Sequence, residues 1–171
     1  AYLGAGTTRL LGSTRVLNQV LVQVFSLGPD AGTYKLTVQE QTPYKDAQRE
    51  TPVRIEAENF DTGGSAVAYS DMTEQNMGGY RDTAVDIERT NDDGDGHNIA
   101  WTDAGEWTEY TLDTTSGTFD IDLRVASYHG DGKIRVLLDG NRLGEVEVPK
   151  TGGWQNWETA TIPDVELDGS R

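Results

Sequence analysis

Hydrophobic and polar residues alternate along much of this 171-residue chain, and a period of two is typical of β-strands with one buried face. In residues 106–112 (EWTEYTL), Trp107 and Glu109 fall on one face of such a strand, whereas Tyr110 falls on the other. The same pattern predicts further strands at residues 53–60, 84–88, 97–102, 118–127, 133–139, 143–148 and 154–162. No stretch keeps a helical period for three turns. The sequence therefore predicts an all-β fold in which antiparallel strands form a sandwich.

The first fifty residues contain two more predicted strands, at 16–25 (VLNQVLVQVF) and 32–40 (GTYKLTVQE). A lone β-hairpin is marginally stable in water, so these strands need a further partner. They belong to the end of a preceding β domain, to a sheet of the following domain or to a sheet of a neighbouring molecule. We accordingly divide the chain into an N-terminal β segment (1–41), a polar linker (42–52) and a β-sandwich module (53–171).

The net charge of −15 is distributed unevenly. Residues 1–53 hold five basic and four acidic side chains, which gives +1, so the rest of the chain carries −16. An acidic surface repels nucleic acid and anionic lipid, and we therefore expect neither as a partner but a neutral ligand or a cation. The sequence has no apolar run long enough for a membrane span, no signal-peptide pattern and no cysteine. It thus indicates neither a membrane-spanning protein nor a disulfide framework.

Two tryptophans, Trp101 and Trp107, stand six residues apart on strand-like sequence. A tryptophan on the polar face of a strand is either covered by another segment or offered to a ligand. Four motifs follow one another along the chain: residues 54–60 (RIEAENF), 98–107 (NIAWTDAGEW), 123–127 (LRVAS) and 151–157 (TGGWQNW). With these motifs, residues 54–171 resemble carbohydrate-binding module family 6. The resemblance implies an antiparallel jelly-roll β-sandwich that binds polysaccharide without catalysis, as part of a secreted or cell-surface, and hence extracellular, protein.

The resemblance further implies a sugar-binding cleft formed by loops at one end of the sandwich. Trp101 and Trp154 take the places of the two aromatic residues that hold a sugar ring, and Glu88 takes the place of a hydroxyl-binding glutamate. The C–H groups on the face of a sugar ring are slightly positive and the face of an indole is electron-rich, so the two surfaces attract each other. The alternative for Trp154 is that it packs under a loop.

Glu56 and Glu58 alternate onto one face of the predicted strand 53–60, where like charges repel unless a cation joins them. In the resembled family such a pair helps to hold a structural calcium ion (Ca²⁺), which carboxylate oxygens suit. The alternative is an exposed carboxylate pair. The resemblance also implies a second sugar site at Trp107 and Glu109, for which burial of Trp107 under residues 61–83 is the alternative.

A glycoside hydrolase is one alternative function. Such an enzyme needs two carboxylates fixed in a cleft, and Asp86 with Glu88 or Asp120 with Asp122 share the faces of predicted strands. Alternation of this kind is common in so acidic a domain and carries little weight. We therefore predict no catalytic residue in this chain.

A structural or adhesive subunit that assembles through strand exchange is the other alternative. Members of the resembled family end with one more strand, which carries a sugar-contacting Asn, whereas this sequence ends at Arg171. An unfilled place in a sheet exposes unpaired N–H and C=O groups. Residues 16–25 are the candidate for this place, in the same chain or in the next molecule, unless further residues of the parent protein fill it.

Overall fold

The computed structural model describes residues 7–12, 40–47, 49–93 and 96–169, with the backbone alone for residues 7–12. Within these residues the regular structure consists of β-strands and two single-turn 3-10 helices, which confirms the all-β prediction. The strands are β1 Thr7–Gly12, β2 Tyr69–Ser70, β3 Ile87–Arg89, β4 His97–Ile99, β5 Trp107–Leu112, β6 Gly117–Val125, β7 Lys133–Leu138, β8 Asn141–Glu147 and β9 Glu158–Leu167. The 3-10 helices are Tyr44–Asp46 and Ala57–Asn59. No helix in the described part of the chain is long and apolar enough to cross a membrane.

Five strands form the largest sheet, in the order β2-β5-β1-β7-β8, and β3–β4 and β6–β9 form two-stranded sheets. The central strand β1 runs parallel to both neighbours, with Thr7 opposite Trp107 of β5 and Arg135 of β7. Because β5 and β7 run in the same direction, the loops that precede them lie at the same end of the sheet. Residues 148–157, which follow β8, lie at that end too, since β8 is antiparallel to β7.

The main core lies between β7 and the β6–β9 pair, as expected for two facing sheets. Ile134 of β7 is buried in one cluster with Val125 of β6 and Ala160 of β9. Val136 of β7 is buried in a second cluster with Ile162 of β9. Complete burial of one such side chain stabilises the fold by about 1.5–3 kcal/mol. These contacts support a sandwich, whereas the jelly-roll connection of its strands stays a prediction.

A further core cluster fixes the β3–β4 pair to the rest of the module. Ile87 pairs with Ile99 across the two strands, and both are buried in a cluster with Tyr110 of β5. The next pair along the strands is Glu88 with Asn98. Because successive side chains of a strand point to opposite faces, these two polar side chains face away from the cluster.

The strand predicted at residues 53–60 is wrong, since residues 53–56 lie outside any strand and Ala57–Asn59 is a 3-10 helix. Side chains from elsewhere in the chain bind the carbonyl groups that a neighbouring strand would need. The Tyr110 hydroxyl donates to the carbonyl oxygen of Ala57 at 2.7 Å, and the Arg81 guanidinium donates to that of Phe60 at 2.5 Å. Pairing with a neighbouring strand is therefore replaced by side-chain hydrogen bonds.

The segment predicted as a linker packs along the module. Thr42 exchanges backbone hydrogen bonds with Thr62 at 3.2 and 2.8 Å, and Asp113 donates its amide to Arg49. The Arg49 side chain is buried and its guanidinium lies 2.8 Å from the carboxylate of Asp61. The division of the chain into domains stays a prediction. The predicted strand 16–25, and all of 32–40 except Glu40, lie outside the described residues.

Candidate functional site

Three loops at one end of the sheet expose aromatic side chains. Trp101 lies between β4 and β5, Tyr128 between β6 and β7, and Trp154 between β8 and β9. Their exposed fractions are 52%, 49% and 47%, respectively. Large aromatic surfaces left in water at one end of a sandwich indicate a binding surface.

Trp154 lies beside the rings of Tyr128 and His129. The Trp154 and Tyr128 ring centroids are 5.9 Å apart, with 32° between the ring planes. His129 stands nearly perpendicular to both, at 5.9 Å from Trp154 and 5.0 Å from Tyr128. The three rings form one aromatic cluster, which we call the 128–154 cluster.

Hydrogen bonds between two loops hold this cluster in place. Ser127 donates its amide to the Thr151 hydroxyl at 2.9 Å and accepts the Thr151 and Gly152 amides on its carbonyl oxygen at 2.9 and 3.2 Å. The Ser127 hydroxyl accepts the Gly130 amide at 2.8 Å. At Gly130 φ is +74°, and a Cβ atom would lie 2.5 Å from the backbone nitrogen of Lys150, so only glycine fits there.

Gln155 connects the tryptophan loop to the polar face of β3 and β4. Its amide nitrogen donates to the Glu88 carboxylate at 2.8 Å and to the Asn98 side-chain oxygen at 3.3 Å. Its side-chain oxygen accepts the Asn91 amide at 3.1 Å. The Glu88 carboxylate is therefore held by Gln155, the residue that follows Trp154 in the chain.

Trp101 has an unusual backbone conformation. Its φ is +46°, a left-handed region that is an outlier for a bulky side chain. The preceding residue, Ala100, donates its amide to the Asp86 carbonyl oxygen at 2.9 Å. Backbone strain of this kind is often found at functional sites, and here it accompanies an exposed indole.

Two buried carboxylates anchor the loops around Trp101. Glu106 accepts the Met72 and Asp103 amides at 2.9 and 2.8 Å, and Asp86 accepts the Met77 amide at 2.7 Å. Burial raises the pKa of both carboxyl groups above the usual values. Their hydrogen bonds to backbone amides give these acidic groups a structural role.

The structure thus places Trp101, Trp154 and Glu88 at the same end of the sheet. Sequence reasoning missed Tyr128, His129, Gln155 and Asn98. Tyr128 and His129 form an aromatic pair directly after the predicted strand 118–127, which was a usable signal. The role of Gln155 depends on contacts with residues about sixty positions away, which no local pattern contains.

Residues 81–170 match the family model described as Carbohydrate binding module (family 35), which is more than half of the chain. The chain belongs to carbohydrate-binding module family 35. The prediction of a carbohydrate-binding module is confirmed, although the matching family is 35 and not 6.

Two curated relatives match shorter parts of this chain. The clotting factor G alpha subunit of Tachypleus tridentatus is 42% identical over 59 residues, which are 32% of this chain and 9% of that protein. The beta-agarase AgaA of Microbulbifer thermotolerans is 32% identical over 63 residues, which are 36% of this chain and 14% of that protein. The chain therefore spans a small part of each relative.

At the second predicted sugar site, Trp107 is half-buried and Glu109 is only 4% exposed. Ser70 of β2, which belongs to the 61–83 segment, pairs with Trp107. The Glu109 carboxylate consequently offers almost no surface to a ligand. Pairing with β2 places part of the 61–83 segment beside Trp107 in the sheet, and burial of Trp107 under that segment stays a prediction.

The two glutamates predicted to bind calcium do not alternate on a strand. Glu58 lies in the 3-10 helix and is 1% exposed, whereas Glu56 is half-buried and its carboxylate lies 2.8 Å from the Arg54 guanidinium. Among the described residues, no group of three or more His, Cys, Asp or Glu side chains is placed to hold a metal ion. Since calcium takes six to eight oxygen ligands, these residues alone do not fit the ion, and calcium stays a prediction.

The 61–83 segment also lines a cavity of about 410 Å³ whose lining residues do not include Trp101, Trp154 or Glu88. Arg81 lies in it between the rings of Tyr44 and Phe60, 4.0 and 3.8 Å from their centroids. Its guanidinium donates to the backbone carbonyl oxygens of Glu58 and Phe60. Burial lowers the Arg81 pKa, and these contacts give the side chain a structural role.

Proposed function

We propose that this family 35 module binds a neutral oligosaccharide or polysaccharide in the cleft of loops that carries Trp101 and Trp154, with Glu88 as a hydroxyl acceptor. The observation that carries this proposal is the exposure of both tryptophans at the same end of the sheet. A folded protein normally covers apolar surface of this kind. The C–H faces of the sugar rings in a carbohydrate ligand fit such a surface.

In this proposal the aromatic groups and the polar groups have different roles in recognition. The indole faces contact the C–H groups of a sugar ring, which is an attraction with little dependence on the particular sugar. The Glu88 carboxylate accepts a hydrogen bond from a hydroxyl, and charged acceptors make the stronger hydrogen bonds. Because Gln155 already holds Glu88 in position, little ordering is needed when the sugar binds.

The proposed role of the module is to keep a larger extracellular protein on its carbohydrate, without catalysis by the module itself. One relative, beta-agarase AgaA, is named as an enzyme, and the matched region makes up 14% of its length. The hydrogen bonds of Asp86 and Glu106 to loop amides agree with a non-catalytic role for these buried carboxylates.

Assembly through strand exchange is a second candidate function, favoured by the place of β1 in the largest sheet. β1 pairs with β5 on one side and β7 on the other, so the N-terminal segment supplies a central strand. A second copy could supply the same strand. Light scattering across a wide concentration range tests this: growth of the molar mass supports exchange, and a constant monomer mass excludes it.

A glycan microarray probed with the whole chain, with and without calcium, tests the proposed binding. We expect signal on a limited set of neutral glycans. Signal on anionic glycans alone, or no signal, would contradict the proposal. Incubation of the positive glycans with the protein and product analysis then separate binding from hydrolysis, because shortened products would support the glycoside hydrolase alternative.

A further inference from the structure

The 128–154 cluster extends the proposed sugar site beyond one aromatic ring. We propose that Trp154 and Tyr128 contact two consecutive units of a bound glycan, so that the module selects chains over monosaccharides. This inference rests on the proposed function. It adds the length of the bound glycan and a residue, Tyr128, on which the preference for longer chains depends.

The exposure of the two rings shows that both have a face available. A face-to-face sandwich would bring the centroids closer and hide one face of each ring, whereas here the centroids are 5.9 Å apart and the planes are tilted by 32°. Each side chain is about half exposed. The two rings are therefore neighbouring, partly exposed aromatic surfaces, which together offer more apolar area than a single indole.

His129 positions this surface. Its ring is nearly perpendicular to both other rings, at 77° to Tyr128 and 74° to Trp154, and such edge-to-face contacts are attractive. A histidine in this position limits the rotation of both rings. We therefore assign His129 as a positioning residue, while Tyr128 and Trp154 are contact residues.

The loops that carry the two contact residues are fixed to each other before any ligand binds. Thr151 and Gly152 donate their amides to Ser127, the residue next to Tyr128. Loss of rotamer and loop freedom is a main cost of binding, and rigid aromatic contacts reduce that cost. The geometry thus suits an extended ligand that contacts both loops at once.

Glu88 and Tyr128 reach the site from different parts of the fold. Glu88 lies in β3 and is held by Gln155, next to Trp154, whereas Tyr128 belongs to the loop between β6 and β7. The unit on Trp154 therefore has a hydroxyl acceptor beside it, and the unit on Tyr128 is held by stacking. Stacking depends on the presence of a sugar ring more than on its identity. Tyr128 therefore makes the affinity depend on the length of the glycan chain.

Titration calorimetry with neutral cello-, xylo-, laminari- and agaro-oligosaccharides of one to six units tests this inference. We expect affinity to rise between one and two or three units, and Tyr128→Ala to weaken binding of the longer ligands about tenfold, which is more than it weakens monosaccharide binding. Tyr128→Phe, which keeps the ring, should bind like the wild type. His129→Ala should weaken the longer ligands less than Tyr128→Ala does, and His129→Phe should restore the affinity.

The two proposals fail in different ways. If Trp154→Ala binds every ligand as the wild type does, the proposed site itself is wrong. If Trp154→Ala loses binding but Tyr128→Ala keeps wild-type affinity for the longer ligands, only the inference is overturned. A wild type whose affinity does not depend on length overturns it as well. Tyr128→Ser, checked with Tyr128→Ala by thermal melting, gives a second variant in case one of them unfolds.

Discussion

Some residues around the candidate site have an exposed side chain together with an unfavourable backbone conformation, and others form exposed ion pairs. Trp101 is the clearest case, because a half-exposed indole occupies the left-handed region, where side chains with a Cβ atom are disfavoured. A residue in this conformation lowers the free energy of unfolding. A role in binding would explain why Trp101 occupies it.

Replacing Trp101 separates its effect on stability from its effect on binding. In Trp101→Ala the strained backbone remains, whereas Trp101→Gly relieves it because glycine adopts positive φ freely. We expect Trp101→Gly to unfold with a free energy about 1 kcal/mol higher than that of Trp101→Ala, although both lose sugar affinity. Urea unfolding measures the difference. A Trp101→Ala variant as stable as Trp101→Gly would show that the backbone is unstrained.

The Asp92–Arg124 ion pair, at 2.6 Å, gives a pH-dependent contribution to stability. The hydrogen bond from Arg124 lowers the pKa of Asp92, so the pair contributes above the pKa of the unfolded chain, about 3.9. Its contribution begins to decline below that value and is lost as the pH falls through the lower pKa that Asp92 has in the folded state. Since the Arg124 side chain is half-exposed, we expect Asp92→Asn to cost at most about 1 kcal/mol at pH 7 and less at pH 3.

Urea unfolding of the wild type and of Asp92→Asn at pH 7, 5 and 3 measures this contribution. A difference that stays constant over this range would mean that the ion pair is not its source.

At the scale of elements, local alternation predicted the strands that form the site. It failed where contacts with residues distant in the sequence determine the local structure. β5, β6, β7 and β8 lie within three residues of their predicted bounds, because their alternation and flanking turns are local features. β9 is predicted in the right place but begins later and ends later, at Leu167. The 53–60 segment also alternates but forms no strand, since Arg81 and Tyr110 bind its carbonyl groups.

β1 could not be predicted from alternation. Thr7, Thr8 and Arg9 are polar neighbours, so the segment TTRLLG has no clear period of two. Its place depends on pairing with β5 and β7, about one hundred or more positions further along the chain. The same limit applies to the site: the tryptophan motifs were visible in the sequence, whereas the Ser127–Thr151 and Glu88–Gln155 contacts depend on the fold.

The calcium prediction at Glu56 and Glu58 is open to a direct test. An ion bound to the folded state alone raises stability by about 2.7 kcal/mol at a concentration one hundred times its dissociation constant. We compare melting temperatures in chelator and in excess calcium, for the wild type and for Glu58→Gln. The prediction is a higher melting temperature with calcium that Glu58→Gln removes. Identical wild-type melting curves would exclude the site.

At the scale of the whole molecule, one buried network ties the predicted linker to the module. Asp61 is fully buried and accepts hydrogen bonds from Gln41, Arg49 and Thr111. These contacts join a segment near residue 45 to β5 in the largest sheet. A buried carboxylate of this kind is stable only while its partners are present.

Removal of the Arg49 charge should therefore destabilise the whole fold. We expect Arg49→Met to lower the free energy of unfolding by about 3–5 kcal/mol, because it leaves the Asp61 carboxylate buried with one partner fewer. Lys45→Met is the matched control, since this exposed cation lies over the rings of Tyr44 and Tyr80, and exposed cation–π contacts are worth about 0.5–1 kcal/mol. Equal stabilities of the two variants in urea would show that the segment is not part of the cooperative fold.

At the loop end of the sandwich, the exposed tryptophans are proposed to bind carbohydrate. The most direct measurement is titration calorimetry of the best glycan from the microarray with the wild type, Trp101→Ala and Trp154→Ala. Arg142→Ala, at the start of β8 and thus at the opposite end of the sandwich, serves as the control. We expect each tryptophan variant to keep its melting temperature and to lose about 1–3 kcal/mol of binding free energy, with the control unchanged. Wild-type affinity in both tryptophan variants would contradict the account.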